Sequence, residues 1–343
     1  MSGAGTVRDA IAAATDALGA AGCDTPRLDA EVLIADVLGV DRGALVTGSG
    51  ADVPAASART IGERVRRRVV REPVAYITGR KGFRHIDLAV DARVLIPRPE
   101  TELLVEVALE APRGARVHEV GTGSGAVALA LMHERPDLRV SASDSSAAAV
   151  DVARSNARAL GLDLPLAVAR GLPDPIAWEE RSRNAAGGAE ADRCGRSAAG
   201  TLFRRAPHRG LSAEHRTDGA GGAEADRRSA EHRTDGSRPY DLVLANLPYV
   251  STAEMATLAP EIRDHEPHDA LVAGRDGLDA IRGLLAEVPA GTAVALEHAP
   301  HQAQAVRGLL DRAETHRDLA NRERVTAGTA RGGRSAGGKP GRR

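Results

Sequence analysis

At 343 residues the chain has room for roughly two domains of about 100–200 residues each. Its 46 Lys plus Arg against 47 Asp plus Glu leave a formal charge of -1, and aromatics make up only 2%, so neither a global basic field for nucleic acid or membrane nor base-stacking platforms are available. Cys23 and Cys194 lie too far apart for a zinc site or a disulfide framework, and no apolar run reaches about 18 residues; this pattern predicts a non-secreted, cytoplasmic protein without membrane spans or metal.

Residues 7 to about 71 read as helices: Ile11, Ala14 and Leu18, then Ala30, Leu33, Ile34, Val37 and Leu38, recur at spacings of three and four. Pro26 suits the start of the second helix. The run 63–71 carries five arginines, either as a solvated helix face or as a surface that grips an acidic or RNA-bound partner. Over 73–98, Val74, Tyr76, Ile77, Leu88, Val90 and 94–96 suggest short strands around Gly79 and Gly82, a connecting hairpin. A helix follows from Pro99. Strands at 117–120, 139–142, 166–169, 241–245 and 293–297 then alternate with helices at 126–133, 147–160 and 278–287, the rhythm of parallel strands with helical crossovers. Residues 180–238 break that rhythm: 187–193 recur as 221–227, and 212–219 recur as 229–236. This composition predicts a disordered insertion, and duplication accounts for His215 and His232 better than a metal does. The basic tail 331–343 is expected to be disordered too. The resulting division is a helical domain over 1–72, a linker over 73–98 and an α/β domain over 99–330.

The stretch Val117-His118-Glu119-Val120-Gly121-Thr122-Gly123-Ser124-Gly125 follows a short strand and opens a helix, so its backbone can approach an adenosine cofactor closely. Asp144, 23 residues beyond Gly121, ends the next strand, where a carboxylate can accept both ribose hydroxyls. Gly121, Gly123 and Ala126 also fit the dinucleotide fingerprint of nicotinamide dehydrogenases. Glu119 favours S-adenosylmethionine, because a carboxylate there would face the cationic amine and repel a pyrophosphate. A tight turn with a structural Asp144 is the remaining alternative. Farther on, an apolar strand runs into Asn246-Leu247-Pro248-Tyr249. Asn246 can accept one amide N–H through its side-chain oxygen, the Leu247 carbonyl the other, and Tyr249 can cover the planar group. Alone, this tetrapeptide could be an ordinary turn; with Gly121 and Asp144 upstream it points to methyl transfer.

Taken with residues 26–31, 71–73, 76–79, 94–102, 258–261, Glu266-Pro267, 270–271, 274–278, Glu297 and Gln302, the chain resembles the HemK-type release-factor glutamine N5-methyltransferases. The stretch Pro97-Arg98-Pro99-Glu100-Thr101-Glu102 is highly specific. The resemblance implies an N-terminal helical docking domain, a β-hairpin linker and a doubly wound, Rossmann-like class I S-adenosylmethionine-dependent methyltransferase domain. It implies as partners the release factors whose Gly-Gly-Gln glutamine is methylated, with no membrane and no direct nucleic-acid contact. Family roles carry to Glu119, Gly121, Thr122, Gly123, Ser124, Gly125, Asp144, Leu172 and Asn246 for the cofactor, and to Asn246, Leu247, Pro248 and Tyr249 for the glutamine amide. Arg98 and Glu100 either shape the mouth of the pocket, or Arg98 pairs with a carboxylate. Several positions depart from the family. Leu247 replaces a proline, giving the element the form found in some rRNA adenine N6-methyltransferases, which lack the 97–102 stretch. Gly171 and Leu172 stand where an acid and an aromatic are usual beside adenine, and His298 and Asn321 where glycine is usual. A catalytically silent release-factor or ribosome-binding module and an rRNA methyltransferase are therefore the competing functions.

Overall fold

The helical periodicity of the first seventy or so residues closes into a small bundle in a computed structural model that describes residues 5–173 and 239–332. Helix α1 (Val7–Ala20) starts at a capping box in which Thr6 Oγ1 accepts from the Asp9 N–H and the Asp9 carboxylate accepts from Thr6 N–H. Helices α2 (Pro26–Leu38), α3 (Arg42–Thr47), α4 (Ala55–Val69) and α5 (Val74–Thr78) follow. Val7, Ala14, Leu18, Ala30, Ile34 and Ile61 pack as their common core. The arginines of 63–71 form neither of the faces expected of them, because most are spent on internal ion pairs. Arg64 pairs with Asp36 and Arg67 with Glu72. Arg68 is buried between Asp29 (2.7 Å) and Glu261 (2.9 Å), and Arg71 also reaches Glu261 (2.7 Å). Those last pairs tie the helical bundle to the segment that follows the Asn246 turn, and they explain why residues 26–31, 71–73 and 258–261 belong to one pattern.

Residues 74–78 form a helical turn where a strand was expected. Pro73 supplies the fixed φ of a helix start, and Gly79, at φ +72°, stops it after one turn, so the ends override the strand preference of Val74, Ile77 and Thr78. The hairpin itself is β1 (Arg80–Phe83) against β2 (Ile86–Ala89). Residues 90–98 leave the hairpin without strand pairing, turning at 91–94, where the Val94 N–H donates to the Asp91 carbonyl (3.1 Å); Val90, Val94 and Ile96 bury against Ala149 and Val152, and Tyr76 donates its hydroxyl to the Val94 carbonyl at 2.6 Å.

Beyond a short 3₁₀ turn (Pro99–Thr101) and α6 (Glu102–Leu109), the short aliphatic segments assemble a seven-stranded sheet. Its order is β5 (Leu166–Val168), β4 (Arg139–Asp144), β3 (Arg116–Val120), β6 (Leu242–Ala245), β7 (Ala293–Glu297), β9 (Glu323–Ala330) and β8 (Leu310–Arg317). The strands β3 to β7 pair in parallel; β8 and β9 are antiparallel. Helices α7 (Ala126–Glu134), α8 (Ala147–Leu160), α9 (Pro260–Arg263), α10 (Asp279–Glu287) and α11 (Ala303–Leu309) complete the α-helices among the described residues. Leu104, Val117, Leu129, Leu131 and Leu244 are fully buried on one side of the sheet, Val243, Ile281, Leu296 and Val306 on the other.

The chain runs β3-β4-β5 outward in one direction and resumes at β6 on the other side of β3. The β3/β6 boundary is thus the switch point at which open α/β sheets bind ligands, at the carboxyl ends of the strands. Among the described residues no helix is long and apolar enough to cross a membrane. The expected insertion over 180–238 lies outside the described residues, as does the tail from 333. Arg331, placed in that tail by its sequence, is instead held by Asp311 (2.8 Å) and by the carbonyls of Gly308 and Leu310.

Candidate active site

Strand register brings the separated motifs to one rim. Val120 pairs with Ser143 on one side and Ala245 on the other, so Gly121, Asp144 and Asn246 leave three adjacent strands at the same level. A cavity of about 230 Å³ opens there, lined by Glu119, Gly121, Thr122, Gly123, Ser124, Asp144, Asn246, Leu247 and Pro248, with Leu95 to Arg98 and Thr101 forming another wall. A second, smaller hollow shares Arg98, Asn246 and Leu247 with the first and adds Tyr249, Leu258 and Ile262. Both sequence-derived anchors, the acid that ends β4 and the asparagine after β6, therefore face one space. Gly125 caps α7 beside that space without lining it.

The glycine loop is tight because another chain segment crosses it. Gly121 has φ +77°, and a Cβ there would lie 3.1 Å from Leu247 Cδ2, so the loop and the turn after β6 pack against each other directly. Asp144 is held by two backbone donors: Gly123 N–H on Oδ2 and Ser146 N–H on Oδ1, both at 2.9 Å. Glu119 is buried at the end of β3, and its Oε2 accepts from Thr122 Oγ1 (2.6 Å) and the Ala128 N–H (3.0 Å). Its Oε1 has no hydrogen-bond partner among the described residues. Burial raises the Glu119 carboxyl to about 7; those two hydrogen bonds oppose the rise, and the nearby Asp144 adds to it. A cation seated at this end of the cavity would restore the carboxylate.

Asn246 donates Nδ2 to Thr101 Oγ1 at 3.0 Å, which turns its Oδ1 away from Thr101. The following turn is clamped from behind: Gln302 Nε2 donates to the Tyr249 carbonyl (2.9 Å) and to the Asp276 carbonyl (3.0 Å). Gly277, at φ +72°, passes so close that a Cβ would sit 2.1 Å from the Tyr249 oxygen, and only glycine fits. The Tyr249 hydroxyl points to Glu297 Oε1 at 3.4 Å, and burial pushes the phenol up, keeping it neutral.

Arg98 satisfies both of its readings, because it lines the cavity and pairs with the buried Glu266. Glu100 is engaged elsewhere, accepting from Arg322 (3.0 Å) and Arg324 (3.4 Å) on the terminal hairpin. Leu172 is not brought to the cavity. Its N–H bonds Glu287 Oε2 (2.9 Å) and its side chain packs in the core beside α10; Gly171, at φ +75°, takes a left-handed conformation that favours glycine over an acid, and a Cβ there would displace the end of the Glu287 side chain. His298 is buried and links β7 to β9 through Nε2 and Thr326 Oγ1 (2.8 Å), with burial holding it neutral. Thr101, Glu266 and Glu261 received no role from the sequence, although each stands inside one of the quoted motifs.

Two family models match: the PrmC N-terminal domain over residues 9–79 and the methyltransferase small domain over 99–172. A release factor glutamine methyltransferase of Deinococcus radiodurans is 34% identical over 339 residues, covering 95% of this chain and 99% of that protein. The chain belongs to the release factor glutamine methyltransferase family. A family member from Streptomyces coelicolor is 36% identical over 330 residues, covering 92% of this chain and 94% of that one. Among solved structures, a protein-(glutamine-N5) methyltransferase from Alicyclobacillus acidocaldarius is 21% identical and covers 69% of this chain and 94% of its own, with a TM-score of 0.30. In this family member the fold is thus a methyltransferase α/β domain with a helical domain ahead of it.

Proposed function

We propose that the cavity holds S-adenosylmethionine against the glycine loop and that the protein methylates the side-chain amide nitrogen of the glutamine in the Gly-Gly-Gln loop of peptide chain release factors. The observation that carries this reading is the single cavity lined by Asp144, Gly121 and Asn246 together. Asp144 would accept the ribose hydroxyls. Glu119, buried with one oxygen unpartnered, suits an ammonium group and would repel the pyrophosphate of a dinucleotide, which weighs against a nicotinamide dehydrogenase.

When bound, S-adenosylmethionine supplies an activated methyl, and its sulfur takes the S–C electron pair to become a neutral thioether. An amide nitrogen attacks poorly because its lone pair is delocalised, so the protein must align it and accept its hydrogens as charge develops. Asn246 Oδ1 and the Leu247 carbonyl are the acceptors, and the nitrogen's proton passes to water after transfer. Leucine at 247 adds an N–H where the family has proline but keeps that carbonyl. The test is mass spectrometry of purified release factors after incubation with protein and S-adenosylmethionine. One added methyl on the Gly-Gly-Gln glutamine is expected; labelled RNA, or cofactor binding without any methylated product, would displace this reading by one of its competitors.

A pH dependence follows from Glu119. Raised to about 7, it is ionised above that pH and neutral below, and a bound ammonium favours the ionised form. Donor affinity is therefore expected to weaken from about pH 8 to about pH 6, by at most about tenfold per unit, and Glu119→Gln to flatten that slope. Titration calorimetry across the range checks it. An unchanged slope in the variant would remove Glu119 from the ammonium site.

A further inference from the structure

Behind the Asn246 turn lies a polar chain that the proposed transfer does not use. Glu297, the last residue of β7, is only 1% exposed. Its Oε1 has the Tyr249 hydroxyl at 3.4 Å, and its Oε2 has no hydrogen-bond partner among the described residues. The Thr101 hydroxyl lies beside that carboxyl and favours its ionised form against the burial. On its other side, Thr101 Oγ1 accepts from Asn246 Nδ2. Thr101 is itself buried, and it has a single hydroxyl proton to give.

That proton decides the polarity of the chain. If Thr101 gives that proton to the acceptor-only carboxylate, whose Oε2 is otherwise without a partner among the described residues, its oxygen accepts from Asn246 Nδ2 and Asn246 presents Oδ1 to the cavity. With the hydroxyl turned the other way, Thr101 would donate to Asn246 Oδ1. The carboxamide is nearly the same shape when flipped, so it would then present its NH₂ to the incoming NH₂ of glutamine, donor against donor. We propose that Glu297, acting through Thr101, is the positioning residue that fixes which end of the Asn246 carboxamide meets the acceptor amide. The inference rests on the function proposed above.

The arrangement is pH-sensitive. Burial raises Glu297 to about 7. The groups facing it are Thr101 and Glu100 from the turn before α6, Tyr249 after β6 and Arg324 on β9; Arg324 and the two hydroxyls favour the carboxylate, and Glu100 opposes it. Below that pH the protonated carboxyl can itself donate to Thr101, which frees the hydroxyl to turn toward Asn246. Turnover at saturating donor is therefore expected to rise between about pH 6 and pH 8.

The test measures kcat on a Gly-Gly-Gln peptide at saturating S-adenosylmethionine, with peptide and donor Kd from calorimetry. Thr101→Val is expected to lose about tenfold or more in kcat and to bind the peptide more weakly, Thr101→Ser to stay within about threefold of wild type, and Glu297→Gln to lose the pH rise. A wild-type circular dichroism spectrum and cooperative thermal unfolding show that each variant is folded. Thr101→Val matching wild type, serine performing no better than valine, or Glu297→Gln keeping the wild-type profile would each overturn the inference. A wild-type protein that puts no methyl on glutamine would remove the proposed function, and this inference with it; an active wild type with indifferent variants removes the inference alone.

Discussion

Replacing Asn246 with alanine is expected to lower kcat by about 10²–10³-fold while leaving the donor Kd within about threefold. The magnitude is that of removing one preorganised polar partner from a site where charge develops, about 2.7–4 kcal/mol. In the proposed transfer Asn246 is the side-chain acceptor for one amide hydrogen, and its Nδ2 already bonds Thr101 in the protein alone. Alanine removes the acceptor and leaves the Leu247 carbonyl alone to orient the nitrogen. The donor keeps the glycine loop, Glu119 and Asp144, which lie on β3, β4 and the turns that follow them. Single-turnover transfer from labelled S-adenosylmethionine separates the two effects. Near-normal transfer by Asn246→Ala would reject the assigned role. Asn246→Asp sharpens the test: it retains an oxygen but has no N–H for Thr101, and it places a negative charge beside Leu247 and Thr101 in a half-buried site, so it is expected to be as impaired as alanine.

What the sequence revealed of this site, and what it hid, follows from where the chemistry resides. The glycine loop, Asp144 and the 246–249 turn were legible because each needs a special residue type at a strand end: conformational freedom, a carboxylate and a carboxamide. The helices and strands from 116 to 169 were legible because aliphatic periodicity is strong there. The terminal hairpin was not, since β8 carries one buried residue, Leu310, among charged and exposed ones and has no period-two signal. Its turn is marked by Asn321 at φ +59°, where asparagine stands in for the glycine of the family because its short polar side chain tolerates the left-handed region. The arginines of α4 were misread for a different reason. Their partners Asp29, Asp36 and Glu261 lie 28 to 193 residues away, and composition alone cannot distinguish a buried paired guanidinium from a solvated one. Thr101 and Glu297 were hidden in the same way: their meaning lies in a hydroxyl between two side chains that no local spacing records.

Asp144→Ala is expected to raise the donor Kd by about 10²-fold, with kcat largely recovered once the donor is saturating, the converse of the Asn246 result. Hydrogen bonds to a charged group contribute about 1.5–3 kcal/mol each, and a ribose offers two hydroxyls to this carboxylate. The loss has a second part. In the protein alone Asp144 already accepts from the Gly123 and Ser146 N–H groups, so alanine also frees the middle of the glycine loop and the first turn before α8. Asp144→Asn discriminates between the parts: its oxygen can still accept from Gly123, but its NH₂ cannot accept from Ser146 and can satisfy a ribose hydroxyl only as a donor. An intermediate loss of about tenfold is expected for it, measured by calorimetry with S-adenosylhomocysteine as well as the donor. Because both ligands share the ribose, they should weaken equally in each variant. Unequal weakening would mean that Asp144 senses the sulfonium end of the cavity, and the sugar would then need a different anchor from the acid at the end of β4.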